Sequence, residues 1–188
     1  MATVILFHSI LGLRALERDA AARLRAMGHD VVTPDLFDGQ TAASIDEGFA
    51  LRDRIGWRKL SERAEAAVVG QPASAVLGGF SFGAAVASFL WAKRPETSGV
   101  LLLHSIVEIP ENARDGVPVQ LHLADPDIYE PAEDVAAWRA VAERSPIALE
   151  AFSYPGVGHL YTDAALPDYD AEAARLTWDR VERFLGAL

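Results

Sequence analysis

The chain has no cysteine. That excludes a disulfide framework, a thiolate metal site and a thiol nucleophile. No apolar run is long enough to span a bilayer. The chain enters Thr3-Val4-Ile5-Leu6-Phe7 almost at once, with no basic segment ahead of it, so a cytoplasmic location is expected. Cations are scarce: 17 Lys and Arg stand against 27 Asp and Glu, a formal net charge of −10. Nucleic acid and an anionic membrane both need a basic face, so neither is expected as a partner. Internal repeats, low-complexity tracts and Pro/Ser linkers are also missing. Residues 1–188 therefore read as a single domain acting on a small molecule, as a monomer or homodimer. What is present fits that reading, since 51% hydrophobic and 23% charged residues is the balance of a globular protein and not of a disordered one.

The most informative stretch is Gly78-Gly79-Phe80-Ser81-Phe82-Gly83-Ala84-Ala85. Ahead of it, Ala73 to Leu77 reads as a buried strand. Behind it, Ala84 to Ala92 is small and apolar and reads as a buried helix. Gly79-x-Ser81-x-Gly83 is thus a G-x-S-x-G pattern in a strand–turn–helix context. Gly79 would let the chain reverse, and Gly83 would let the helix start against a neighbouring strand. Ser81 would sit at a strained backbone angle with its hydroxyl held clear. The competing reading is a glycine-rich turn with no chemistry.

Short apolar runs recur along the chain: Thr3–Phe7, Val31–Thr33, Gly99–Leu103, Val117–Leu123 and Ile147–Phe152 join the central strand. Helical spacing separates them, over Arg14–Met27, Ser44–Val69 with a break at Gly56, Pro131–Arg144 and Tyr169–Leu185. Six strands alternating with helices predict an α/β fold, a mostly parallel sheet covered on both faces. Functional groups in such a sheet collect at the carboxyl ends of the strands. Ser81 follows the third strand, Asp125 and Asp127 follow the fifth, and His159 follows the sixth. That is the chain order serine, acid, histidine. A serine hydroxyl needs a base, a neutral imidazole is one, and a carboxylate fixes the imidazole tautomer. Asp125 and Asp127 are two residues apart, and only one can be held toward His159.

A second oxyanion donor beside Phe82 N–H is expected from the turn after the first strand, at Ile10 N–H. Gly12 is expected to let that turn pass close to Ser81. His29 reads as a strand-start residue, His122 as a strand residue and His104 as a neighbour of the crevice. Asp125, Asp127, His8 and His104 match no ligand spacing, so neither a metal nor a cofactor is expected.

These residues resemble the dienelactone hydrolase family over nearly the whole length. Leu6 to Leu13 resembles the family's first turn, Q-E-x-x-G-[LV]. Gly78 to Ala84 resembles its G-F-C-x-G-G elbow, Leu121 to Asp127 its H-x-G-x-x-D segment, and Tyr154 to His159 its Y-x-x-x-x-H segment. The resemblance implies an α/β-hydrolase core without a separate lid, and it selects Asp127 as the acid. Two departures go together: the family cysteine is Ser81 here, and its first-turn glutamate falls at Ser9. A third departure concerns substrate. The family arginine that holds a substrate carboxylate falls at Asp163; Arg14, Arg52, Arg54 or Arg58 could supply a substitute cation, though each reads first as a solvated helix residue. Asp125, Asp127 and Asp163 would then surround the site with negative charge.

The expected function is hydrolysis of a small uncharged ester, lactone or thioester by Ser81, His159 and Asp127. The expected pocket walls are His8, Ser9, Phe37, Trp57, Phe80, Ile106, Tyr129 and Leu160. Two alternatives use the same fold: a non-catalytic scaffold that binds a ligand or protein partner, and an acyltransferase with the same three residues.

Overall fold

Side-chain alternation decides how the layers stack. In β1 (Thr3–Phe7), Val4 and Leu6 join one buried cluster while Ile5 and Phe7 join another, because successive strand residues face opposite sides. The computed structural model describes residues 1–188. β1 is followed by α1 (Ala15–Ala26), β2 (Asp30–Val32), α2 (Ile45–Ile55), α3 (Trp57–Ala67) and β3 (Val76–Phe80). Then come α4 (Phe82–Trp91), β4 (Val100–Leu103), β5 (Pro118–Asp125), α5 (Ala132–Ala142), β6 (Ala148–Pro155) and α6 (Ala171–Gly186). The strands form one six-stranded sheet in the order β2-β1-β3-β4-β5-β6. All five pairings are parallel. No helix is long and apolar enough to cross a membrane.

α1 and α6 cover one face. Leu16, Ala20 and Leu24 of α1 and Trp178, Val181 and Phe184 of α6 pack on Val4, Leu6, Val76, Phe80, Leu101 and Leu103. The other face carries the larger core, where α2 to α5 meet Ile5, Phe7, Leu77, Leu102, Val119 and Leu121. α4 is apolar nearly all round, as a helix enclosed by sheet and neighbouring helices must be.

The element boundaries that bear on the site differ from the sequence expectation at the carboxyl edge of the sheet. β3 runs through Gly78 and Gly79 to Phe80, and α4 starts at Phe82. Both glycines are strand residues here: Gly79 lies beneath the start of α4, where no Cβ fits, and Gly78 packs against Leu101 and Leu6 on the other side. β5 continues to Asp125 and β6 to Pro155, since their ladder pairs Ala124 with Tyr154 and Asp125 with Pro155.

Candidate active site

Ser81 is the single residue between β3 and α4. Its φ of 50° and ψ of −110° lie in a region that a side chain rarely adopts. Packing on both sides enforces the turn. A Cβ on Gly79 would come within 2.1 Å of the Gly83 carbonyl carbon, and one on Gly83 within 2.3 Å of the Phe7 carbonyl oxygen. The helix therefore starts directly against the end of β1, and Ser81 is lifted off the sheet. Its own N–H donates to the Leu103 carbonyl at 2.6 Å, which ties the turn to β4.

The hydroxyl that this turn presents meets His159. Ser81 Oγ lies 2.8 Å from His159 Nε2, and His159 Nδ1 lies 2.7 Å from Asp127 Oδ2. The Nδ1–H donating to the carboxylate leaves Nε2 as the acceptor for the serine hydroxyl. Tyr129 N–H donates to the other Asp127 oxygen at 2.9 Å, so both carboxylate oxygens are occupied. The Asp127 side chain is fully buried and that of His159 is 6% exposed. Asp125, by contrast, is exposed at the end of β5. Of the two candidate acids, only Asp127 reaches the imidazole.

His159 is held from behind. A side chain at Gly158 would strike the Asp168 carboxylate, which accepts the Leu160 N–H at 3.2 Å. The Tyr129 ring packs against the imidazole at 4.8 Å between centroids.

The turn after β1 is fixed by a buried carboxylate that the sequence hides on a helix. Glu17 of α1 accepts the Ser9 N–H at 3.0 Å and the Arg14 N–H at 2.9 Å. Its side-chain atoms are fully enclosed. Ile10 N–H, between those anchors, donates to no protein acceptor. Phe82, as the first residue of α4, likewise has no intrahelical acceptor for its N–H. Both residues line the crevice beside Ser81. Gly12 serves a different contact from the one expected. At φ +89°, it lies against Gln40 and Thr41, where a Cβ would come within 2.6 Å of the Gln40 carbonyl oxygen.

The crevice has a volume of about 240 Å³. Ile10, Ile45, Phe49, Phe82, Ala85 and Tyr129 supply its apolar wall, and Arg52, Ser81, Ser105, Glu130 and His159 its polar groups. Of the eight residues expected as walls, only Tyr129 is among them. His8, Ser9, Phe37, Phe80 and Leu160 are buried behind the surface. Phe80 points to the α6 face, 6.3 Å from the Trp178 ring centroid, because it is one strand residue out of phase with the crevice. His8 props the turn: Nδ1 donates to the Ser9 carbonyl at 2.7 Å, and Nε2 accepts the Leu36 N–H at 3.1 Å. Burial lowers the His8 pKa and keeps that imidazole neutral. Phe37 follows Leu36 inward and packs edge-on to His8 at 4.7 Å. Leu160 turns into the main core. Trp57 and Ile106 line a wider groove that meets the crevice only at Ala85.

Sequence reasoning missed Ile45 and Phe49, and it offered Arg52 only as one of four arginines that could supply a cation, each read first as a solvated helix residue. Ile45, Phe49 and Arg52 all belong to α2, which is laid over the crevice by Gly48; a Cβ there would come within 2.5 Å of the Ile10 carbonyl oxygen. Arg52 stands over the Phe49 ring at 4.9 Å and pairs with Asp53. The Asp163 carboxylate is ion-paired with Arg14 and buried, so it adds no free charge to the crevice. No group of three or more His, Asp or Glu side chains is arranged to hold a metal ion.

A parallel sheet in this strand order, with a strained serine between strand and helix and a histidine brought to it from the last strand, defines an α/β hydrolase. The chain belongs to the dienelactone hydrolase family, whose profile matches residues 1–188. Solved structures agree on the fold. A dienelactone hydrolase-like promiscuous phosphotriesterase from metagenomic libraries is 22% identical with a TM-score of 0.80, over 100% of this chain and 87% of that one. A protein assigned as a dienelactone hydrolase from Klebsiella pneumoniae subsp. pneumoniae is 19% identical with a TM-score of 0.78, over 100% and 88%. A protein assigned to the α/β-hydrolase superfamily from Xanthomonas campestris pv. campestris is 26% identical with a TM-score of 0.63, over 100% of both chains. No curated protein matches the sequence.

Proposed function

We propose that the protein is a serine hydrolase that cleaves small uncharged carboxylic esters, lactones or acyl thioesters. The observation that carries this reading is the hydrogen-bonded chain from Ser81 through His159 to Asp127, opening on an apolar crevice. Ser81 Oγ attacks the acyl carbon while its proton passes to His159 Nε2. Asp127 holds the imidazole in the accepting tautomer and stabilises the imidazolium. Ile10 and Phe82 N–H groups hold the oxyanion, helped by the positive end of α4. His159 returns its proton to the leaving alcohol or thiol as the bond to the acyl carbon breaks. Water then attacks the acyl-enzyme, giving one proton to His159 and releasing the acid. The proton returns to Ser81.

The crevice favours small acyl groups. Its volume of about 240 Å³ falls below the range of about 300–1,000 Å³ typical of pockets for drug-sized ligands. A long chain would leave methylenes in water, each forgoing about 0.8 kcal/mol.

The test is steady-state hydrolysis of p-nitrophenyl acetate, butyrate and laurate, with a phosphotriester included because one structural neighbour is a phosphotriesterase. The short esters should turn over fastest, and Ser81→Ala should abolish turnover. An unchanged rate in Ser81→Ala would reject the reading. A product ester formed in the presence of an added alcohol, at the expense of free acid, would point to acyl transfer instead.

A further inference from the structure

We propose that Glu130, together with Ser105, forms a charge-selective subsite of the Ser81 crevice, one that accepts neutral substrate groups and discriminates against a substrate carboxylate. The inference rests on the reading of Ser81 as nucleophile, yet the mechanism above uses neither residue. Glu130 lies in the connection from β5 to α5, and Ser105 in the connection after β4. Both line the same crevice as Ser81 and His159. Ser105 Oγ is hydrogen-bonded to Glu130 Oε1 and lies 3.0 Å from the Ile106 carbonyl oxygen.

That arrangement has two proton states. With Glu130 protonated, its O–H donates to Ser105 Oγ, and the Ser105 O–H donates to the Ile106 carbonyl. Both hydroxyl protons then have acceptors and no charge faces the crevice. With Glu130 ionised, the Ser105 O–H must turn to the carboxylate, and a negative charge faces the crevice from within. Burial pushes the Glu130 carboxyl up to about 7, the Asp127 charge adding to it, while the Ser105 hydrogen bond, His159 and the Ile106 N–H oppose the shift. Both states are therefore populated near neutrality.

Glu130 also lines the hollow that holds Asp125 and Arg139, and the charged groups around it do not mimic this change, Arg139 being cationic throughout. Arg52 of α2 stays cationic throughout and is paired with Asp53. The Tyr129 phenol is pushed up by burial, and by Asp46, Asp168 and Asp127, so it stays neutral. Asp127 is engaged by His159. His159 serves as base for both esters alike, so its contribution cancels when the two are compared.

The experiment compares kcat/KM for p-nitrophenyl valerate and for the mono-p-nitrophenyl ester of glutaric acid, equal in acyl length, from pH 6 to 8. The ratio of anionic to neutral ester should fall about five- to tenfold as Glu130 ionises. In Glu130→Gln, which keeps the shape and the hydrogen bond, the ratio should be flat and should exceed that of the wild type at pH 8. Ser105→Ala removes a bond that favours the carboxylate, so the fall should move to higher pH. Arg52→Gln should change the level of the ratio and leave its pH dependence intact. A flat ratio in the wild type, or the same fall in Glu130→Gln, overturns the inference while leaving the hydrolase reading standing. Failure of the wild type to cleave either ester overturns both.

Discussion

The Ser81 side of the crevice is held by backbone, and the opposite side is held by side chains. At the turn between β3 and α4, Gly79 and Gly83 leave no room for a Cβ, and Ser81 is bonded to β4 through its N–H. Across from it, Phe49, Arg52, Tyr129 and Glu130 come from α2 and from a loop, and each is partly or largely exposed. The difference teaches a division of labour. The position of the hydroxyl is over-determined by the fold, while the shape and charge of the space above it can change without disturbing the sheet.

Breaking the backbone side should have the largest effects. Ser81→Ala and His159→Ala should each reduce ester turnover by at least about 10³-fold, and the double variant little further, because the two act as a unit. Additive losses would place His159 in another role. Asp127→Asn should cost about 10²–10⁴-fold in kcat, whereas Asp125→Asn should stay within about twofold. Equal losses would undo the assignment made from the 2.7 Å contact.

Gly79→Ala should lower unfolding free energy by about 3 kcal/mol or more in a urea titration, since the new methyl group meets backbone that cannot move aside. A neutral outcome would mean that the elbow has slack. Ser81→Gly sharpens the point from the other direction. Glycine tolerates the positive φ, so this variant should be more stable than Ser81→Ala by about 1 kcal/mol while equally inactive.

Acidification should act on the interior. Burial, with Arg180 adding, lowers His122 to about 3, and burial also lowers His8 and His104. Each stays neutral in the folded protein while the unfolded chain takes a proton near pH 6.5. The stability they confer is therefore present above pH 6.5 and is lost as pH falls. For His122 that amounts to about 2 kcal/mol between pH 6.5 and 5. Glu130 works with the opposite sign, its contribution being lost as pH rises through about 7. Over pH 7 to 5 the Glu130 contribution is of similar size and opposite sign, so the comparison is between variants: in urea titrations at both pH values, His122→Asn should lose about 2 kcal/mol less than the wild type on acidification. On the side-chain wall, Phe49→Ala should change relative kcat/KM among acyl lengths only a few-fold, with the fold's stability nearly intact.

The two sides were not equally legible in the sequence. Alternation in Thr3–Phe7 and the other apolar runs reveals the sheet, because buried parallel strands have little else to be. The G-x-S-x-G turn carries its own steric reason, and strand order points to the later histidine and narrows the acid to Asp125 or Asp127, between which only the family resemblance chooses. The walls do not follow from local pattern. Ile45, Phe49 and Arg52 reach the crevice only because α2 crosses Ile10 at Gly48, a tertiary contact between segments far apart in the chain. Glu17 looks like one more charge on a solvated helix face until its two backbone donors are seen. Phe80 was a different kind of miss: its distance of one residue from Ser81 suggested a wall, while the period of two sends it to the far face. The ends of β5 and β6 were obscured by Asp, Tyr and Pro residues that read as turns but remain in the ladder.

The central claim is that the fold activates one hydroxyl, that of Ser81. Exposure of the purified protein to a fluorophosphonate, followed by intact mass and peptide mapping, tests it directly. The account predicts a single adduct on Ser81, absent in Ser81→Ala and formed far more slowly in His159→Ala. No adduct, or an adduct on Ser9 or Ser105, would contradict it.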